Sequence, residues 1–214
     1  ILAMSPHYFL DRENPKYAGM SNDEYLNATF DSLVDSRESI YQKILKPYLS
    51  ANDVVLDYGC GPGFLAKVVA PRVKKVVAID ISSGAIECAK IVNGADNLEY
   101  VVADEAGVNS IADSSIDVVY SFAVLQHLTD EIFELVLSNC HKKLRSGGRA
   151  VLHIQLSDDL WLTEEERKTD TSIQGKLKYE IGLHCFGRSE EWHVETVTKH
   201  GFAVDQVIRL DELV

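Results

Sequence analysis

Apolar and polar positions change their spacing three times along the chain. Leu26, Phe30, Leu33, Val34, Ile40, Tyr41, Ile44 and Leu45 recur at helical spacing. They follow Ser21-Asn22-Asp23-Glu24, which fits a capping box, and precede Pro47, which ends the run. This predicts one long amphipathic helix, or two with a break. From Asp53 onward the rhythm becomes short continuous runs rich in β-branched residues: Val54–Asp57, Val76–Ile79, Leu98–Val102, Ile116–Ser121 and Ala150–Gln155. Helical stretches separate them: Phe64–Ala70 up to Pro71, a helix capped by Ser82 or Ser83 and reaching Ile91, and Asp130–Leu144 closed by Gly147-Gly148. Such alternation predicts a doubly wound, Rossmann-like, mostly parallel sheet with helices on both faces, here with an N-terminal helical extension. Residues 156–188 break the rhythm and form a long insertion, whose charged run Glu164–Lys168 reads as a solvated helix face. Ser189 caps a last helix carrying Trp192, Val194 and Val197, Gly201 stops it, and Phe202–Leu210 is expected to be a final strand.

Length divides this pattern into few parts. The 214 residues suffice for one core domain, 49–214, preceded by an arm and helix over 1–48 that is expected to form part of a lid. With 46% apolar and 25% charged residues, disordered and collagen-like chains are excluded. The net charge, 21 − 33 = −12, opposes nucleic acid and anionic membrane surfaces. Cys60, Cys88, Cys140 and Cys185 form no C-x-x-C pair, so reduced thiols and a cytoplasmic setting are expected, with no metal site. No run is apolar enough for a membrane span or a signal peptide, and the start at Ile1 is expected of a trimmed or tagged product.

The chemistry is expected beyond the carboxyl ends of the strands. The first run ends in Asp57-Tyr58-Gly59-Cys60-Gly61-Pro62-Gly63-Phe64, where alternate glycines let the backbone turn and approach a ligand. The third glycine falls one residue early for the dinucleotide pattern G-x-G-x-x-G, and no G-K-[ST] follows, which excludes a P-loop. A tight structural turn explains this loop about as well as a ligand site. Asp80, 17 residues after Gly63, suits two hydrogen bonds to a ribose diol, and equally a helix N-cap. Asp104 ends the third run and can accept from an adenine amino group.

In this order the motifs resemble the class I S-adenosylmethionine-dependent methyltransferases, from about Asp53 to Leu156. VVLDYGCGPG is similar to the family's first motif, VVAIDIS to its second, VVADEA to its third, and DVVYSFAVLQHL with LRSGGRAVLHI to its fourth strand, helix and fifth strand. The resemblance implies that Asp57 meets the cofactor's ammonium, while Gly59, Cys60, Gly61 and Gly63 surround its amino-acid tail and adenosine. It places Asp80 on the ribose, Ile81 on an adenine face, Asp104 with Glu105 near the adenine edge, and Phe122 and Val124 beside the sulfonium. S-adenosylhomocysteine would be the product. Two departures stand out. Gln126 replaces the usual Glu before the motif's histidine, and the usual final antiparallel strand has no counterpart before Val214.

Methyl transfer is an in-line displacement, so alignment and exclusion of water dominate, and a base is needed only for a tightly held proton. His127, His184 and Tyr17 (or Tyr8) are the candidates, whereas His153 reads as a core or lining residue inside the fifth strand. Trp161, Phe186 and Trp192 can line an acceptor pocket or belong to the core. No Asn-Pro-Pro-aromatic motif follows the fourth strand, which argues against amino methylation of a nucleic-acid base. A small-molecule acceptor methylated at oxygen or nitrogen leads, with the oligomeric state open. The alternatives are an NAD(P)-dependent oxidoreductase and a non-catalytic S-adenosylmethionine-binding partner protein.

Overall fold

A computed structural model of the chain describes residues 15–154, 156, 162–173 and 185–209. Helix α1 spans Asn22–Ile40 behind the expected capping box, in which Ser21 Oγ accepts from the Glu24 amide and the Glu24 carboxylate accepts from the Ser21 amide. It runs on through a π-helical turn, Tyr41–Leu45, into a 3-10 turn, Lys46–Tyr48, whose Pro47 lacks the amide needed to continue. Helices α2 (Phe64–Val69), α3 (Ser83–Val92), α4 (Glu105–Ser110), α5 (Asp130–Lys143), α6 (Glu164–Thr169) and α7 (Glu190–Lys199) follow. Between them lie β1 (Val54–Tyr58), β2 (Lys75–Asp80), β3 (Leu98–Val102), β4 (Ile116–Ser121) and β5 (Leu144–Leu152).

The five strands form one parallel sheet in the order β3-β2-β1-β4-β5. Strand order reverses between β1 and β4, which opens a crevice at their carboxyl ends. Successive strand residues alternate between two apolar layers, because successive side chains leave opposite faces of the sheet. Val55, Val76, Ala78, Val118 and Tyr120 join α2, α3 and the Tyr41–Leu45 turn on one face. Leu56, Val77, Ile79 and Val119 join α4 and α5 on the other, where Trp192 and Val197 of α7 also pack. Both faces being covered, the inner strands carry buried apolar runs with polar residues only toward their ends, and this is why they read as short continuous apolar stretches. The N-terminal helix is anchored by Arg72, which grips both Glu38 oxygens at 2.9 Å and lies over the Tyr41 ring.

Two expectations are corrected. The helix before the fifth strand stops at Lys143, and β5 starts at once with Leu144 instead of at Ala150. Gly147 and Gly148 sit inside the strand, where the pairing jumps from Ile116↔Leu144 to Val118↔Arg149. Gly147 takes φ +73°, which absorbs the extra residues without strain. The second correction concerns Phe202–Leu210: residues 202–209 join no strand, and Val204, Val207 and Ile208 are exposed. Alternating apolar residues make a strand only where a ladder partner is available, and this segment instead follows α7 over the surface. Leu210 and Gln155 lie outside the described residues. No described helix is long and apolar enough to cross a membrane.

Candidate active site

The loop after β1 is tied down from beneath. The amides of Gly59 and Cys60 both donate to the Ile79 carbonyl, at 2.8 and 2.9 Å, and the Gly61 amide donates to Asp80 Oδ2 at 2.8 Å. Gly59, Gly61 and Gly63 all have positive φ. At Gly59 an added Cβ would lie 2.4 Å from Val124 Cγ2, and at Gly63 it would lie 2.1 Å from Tyr100 Oη. The glycines are therefore dictated by conformation and by neighbours, which leaves bare backbone along the loop. Cys60 lies within this cradle, its thiol pushed up by burial and by the nearby Asp57 and Asp80 carboxylates, so it is not a nucleophile.

Asp57 is buried at the end of β1, and Tyr120 of the adjacent β4 donates its hydroxyl to Asp57 Oδ2 at 3.0 Å. Burial, aided by Asp80, raises the Asp57 pKa to about 8, although the Tyr120 hydrogen bond pulls the other way. Among the described residues no cation offsets this burial. The other acidic positions stand at the same sheet end. Asp80 is shared between Gly61 and the Ser82 amide, 2.9 Å from Oδ1, while Ser82 itself caps α3. Asp80 is thus not the cap; it joins the glycine loop to the next crossover. Ile81, next in line, is 76% exposed. Asp104 caps α4 by accepting from the Gly107 amide at 2.7 Å, and Glu105 begins that helix, both at the surface.

The loop after β4 closes the crevice. Phe122 stacks on His153 with ring centroids 4.1 Å apart. Ala123 takes φ +59°, and its amide donates to His153 Nδ1 at 3.2 Å. Val124 then faces Gly59. His153, expected inside a strand, stands just beyond the end of β5, its pKa lowered by burial. Gln126 is 5% exposed, and its buried Oε1 has no hydrogen-bond partner among the described residues. His127 Nδ1 lies 3.6 Å from Cys185 Sγ.

The insertion is fastened to this loop rather than projecting from it. The Phe186 amide donates to the Gln126 carbonyl at 2.9 Å, and Glu164 accepts from the Asp130 amide at 2.6 Å at the start of α5. Arg188, 4% exposed in its side chain, pairs with Asp130 at 2.7 Å and donates to the Leu128 carbonyl. Its guanidinium lies over Phe133, Phe186 and Trp192. Phe186 and Trp192 are therefore core partners of an arginine clasp, and Trp161 lies outside the described residues. So does His184. Tyr17 packs edge-on against Tyr25 of α1, with centroids 5.0 Å apart, and Phe30 of that helix meets Phe64 at the start of α2. Sequence reasoning missed Tyr120, Arg188 and the role of His153, since their partners lie 63, 58 and 30 residues away and no local spacing signals them. Among the described residues no group of His, Cys, Asp and Glu could hold a metal.

Bare loop backbone, an exposed apolar residue beside a strand-end carboxylate and a buried acid fit a cationic nucleoside with an amino-acid tail. They do not require a phosphate-binding turn. Comparison with known proteins agrees. Residues 56–152 match the family model described as "Methyltransferase domain". A Mycobacterium tuberculosis protein described as a "probable S-adenosylmethionine-dependent methyltransferase" is 33% identical over 109 residues, 51% of this chain and 37% of that protein. The ribosomal protein L11 methyltransferase of Thermotoga neapolitana is 30% identical over 125 residues, covering 58% and 37%. The chain thus spans less than two fifths of the length of either relative. In fold it is similar to a SAM-dependent methyltransferase from Archaeoglobus fulgidus, with TM-score 0.60 and 19% identity over 92% of this chain and 75% of that one. Residues 56–152, a little under half of the chain, are thus similar to the methyltransferase domain of S-adenosylmethionine-dependent methyltransferases.

Proposed function

We propose that this chain transfers a methyl group from S-adenosylmethionine to an oxygen or nitrogen of a small-molecule acceptor, releasing S-adenosylhomocysteine. The observation that carries the cofactor half is the glycine loop, held open by Asp80 and flanked by Asp57 and Ile81. The cofactor supplies a methyl carbon already activated by a positive sulfur. This chain's residues have the remaining tasks. Asp57, held neutral by burial, receives the ammonium and ionises on binding, its proton passing to solvent. Asp80 accepts from the ribose hydroxyls with the lone pairs that Gly61 and Ser82 leave free. Ile81 covers an adenine face, with Asp104 and Glu105 at its edge. Phe122 and Val124 exclude water beside the reacting carbon.

The small-molecule half rests on the clasp. Arg188, Phe186 and Glu164 tie the described parts of the insertion to the loop that carries His127, which supports a walled acceptor pocket on that side of the sheet. A net charge of −12 disfavours a nucleic-acid acceptor. His127 is the favoured base among the described candidates, because it stands on the loop directly after β4. The Thermotoga relative is named for a protein acceptor, so the assay must distinguish the two. The test is transfer of labelled methyl into a fractionated cell extract. Label in low-mass material is expected. Label confined to protein overturns the acceptor class, and tight S-adenosylhomocysteine binding with no transfer at all favours the non-catalytic reading. Binding of nicotinamide dinucleotide but neither sulfur nucleoside would overturn the cofactor.

A further inference from the structure

The Ala123 turn after β4 and His153 beyond β5 have no part in the proposed reaction. Ala123 adopts φ +59°, in the left-handed region that costs any residue with a Cβ. Strain of this kind persists only where the surroundings hold it. What holds it here is His153: its Nδ1 accepts the Ala123 amide at 3.2 Å, and its ring stacks on Phe122 at 4.1 Å and 25°. His153 is itself fixed, since its amide donates to the Ser121 carbonyl at 2.9 Å, immediately after the Ser121↔Leu152 pair. The residue after Ala123 is Val124, whose methyls occupy the space a Gly59 side chain would need. The end of β5 is thus linked to the cofactor loop through one strained peptide.

We propose that His153 is a positioning residue for the cofactor site, with its Nδ1 lone pair holding the Ala123 turn and thereby setting Val124 against Gly59. The role demands one tautomer. Nδ1 accepts, so in the neutral ring Nε2 carries the proton. A protonated ring has a hydrogen on Nδ1 and can no longer accept the Ala123 amide. Burial alone lowers the His153 pKa, and no charged group among the described residues contributes, so the lone pair is available at neutral pH and is lost in acid. The inference rests on the glycine loop being the S-adenosylmethionine site.

S-adenosylhomocysteine titrated calorimetrically into the intact chain tests it. His153→Phe keeps a ring on Phe122 but removes the acceptor, and should weaken binding about tenfold, which corresponds to the cost of one left-handed non-glycine residue. His153→Asn restores an acceptor near the Nδ1 position and should recover most of that loss. Adding Ala123→Gly to His153→Phe should also recover it, because glycine needs no support at positive φ. Loss without recovery by either route would reduce His153 to a packing residue, and undiminished binding by His153→Phe would remove it altogether. Should His153→Phe fail to fold, Ala123→Gly alone decides. Between pH 7.5 and 5 the parent's affinity should fall more steeply than that of Ala123→Gly, with the Asp57 contribution common to both. Coincident profiles overturn the proposal. If the parent chain binds no S-adenosylhomocysteine at all, the cofactor reading fails and not this coupling.

Discussion

Gly63 carries two constraints at one atom. It is the N-cap of α2 at φ +78°, and an added Cβ would meet Tyr100 Oη at 2.1 Å and Tyr100 Cζ at 2.7 Å. Left-handed alanine costs about 1–2 kcal/mol before any clash. Tyr100 cannot retreat freely, because its hydroxyl donates to the Asn93 carbonyl at 3.0 Å. Gly63→Ala should therefore lose about 2–4 kcal/mol of stability in urea denaturation, and Tyr100→Phe in that background should recover only part, since the ring carbon remains too near. Asp80 makes a different kind of claim. Asp80→Ala strips an acceptor from two amides and a charged acceptor from the proposed ribose site. It should cost about 1–2 kcal/mol of stability and about 2–3 kcal/mol of S-adenosylhomocysteine affinity. Unchanged affinity would move the ribose elsewhere. Both residues were visible in the sequence, because glycines at alternate positions and an acid at the end of an apolar run are local signals. Asp57's partner Tyr120 was not. A hydrogen bond between adjacent parallel strands depends on register, which no spacing within either strand encodes.

Among the elements, β1 to β4 matched their expected spans closely because each carries a short β-branched apolar run that the sheet buries at its middle. The start of β5 was hidden for the opposite reason. Arg145, Ser146, Gly147 and Gly148 carry no apolar signal, yet they lie within the strand as the irregularity between the Ile116↔Leu144 and Val118↔Arg149 pairs, where Arg145 bonds to Asp117 of β4. The 202–209 segment shows the converse, an apolar pattern without a ladder. The link between the insertion and the β4–α5 loop rests largely on Arg188, whose buried guanidinium joins Asp130, the Leu128 carbonyl and three aromatic rings. Arg188→Met fills the space without these bonds. Asp130 is half exposed and can turn to water, so the expected cost is about 1–3 kcal/mol, below that of stranding a buried charge. Hydrogen exchange should locate the effect. The Phe186 amide, bonded to the Gln126 carbonyl, should lose protection, and the amides of β1 and β2 should keep theirs. Equal loss across the sheet would mean that Arg188 supports the core instead of the insertion.

Across the whole molecule, the charge distribution gives stability a shape in pH. Glu38, Glu134, Glu164 and Asp117 are held below the ordinary carboxylate range, the first three chiefly by side-chain hydrogen bonds and Asp117 by the Val54 amide and Arg145 against a larger desolvation. What they contribute is present above about pH 4.5 and is lost as pH falls through their lowered values. His153 and His193 are lowered by burial, so the unfolded chain takes up their protons first, and stability falls as pH drops below about 6.5. Asp57 acts in the opposite sense. Its pKa is raised to about 8, so the folded state holds a proton that the unfolded chain has released above about pH 4. Its contribution is therefore complete below about pH 4 and is lost as pH rises toward 8, at up to about 1.4 kcal/mol per unit. Together these terms place the maximum on the mildly acidic side of neutrality, with a decline toward pH 8. Asp57→Asn keeps an acceptor for the Tyr120 hydroxyl and removes the titration. In urea denaturation at pH 5, 6.5 and 8, the variant should be the more stable protein at pH 8, with no decline between 6.5 and 8. The same variant should bind S-adenosylhomocysteine more weakly, because the ammonium then meets no carboxylate. A buried acid that costs stability when empty and is compensated when a cation arrives is what a ligand site requires and a purely structural core does not. An Asp57→Asn chain that gains stability yet binds equally well would break that connection and leave the acid without its proposed ligand.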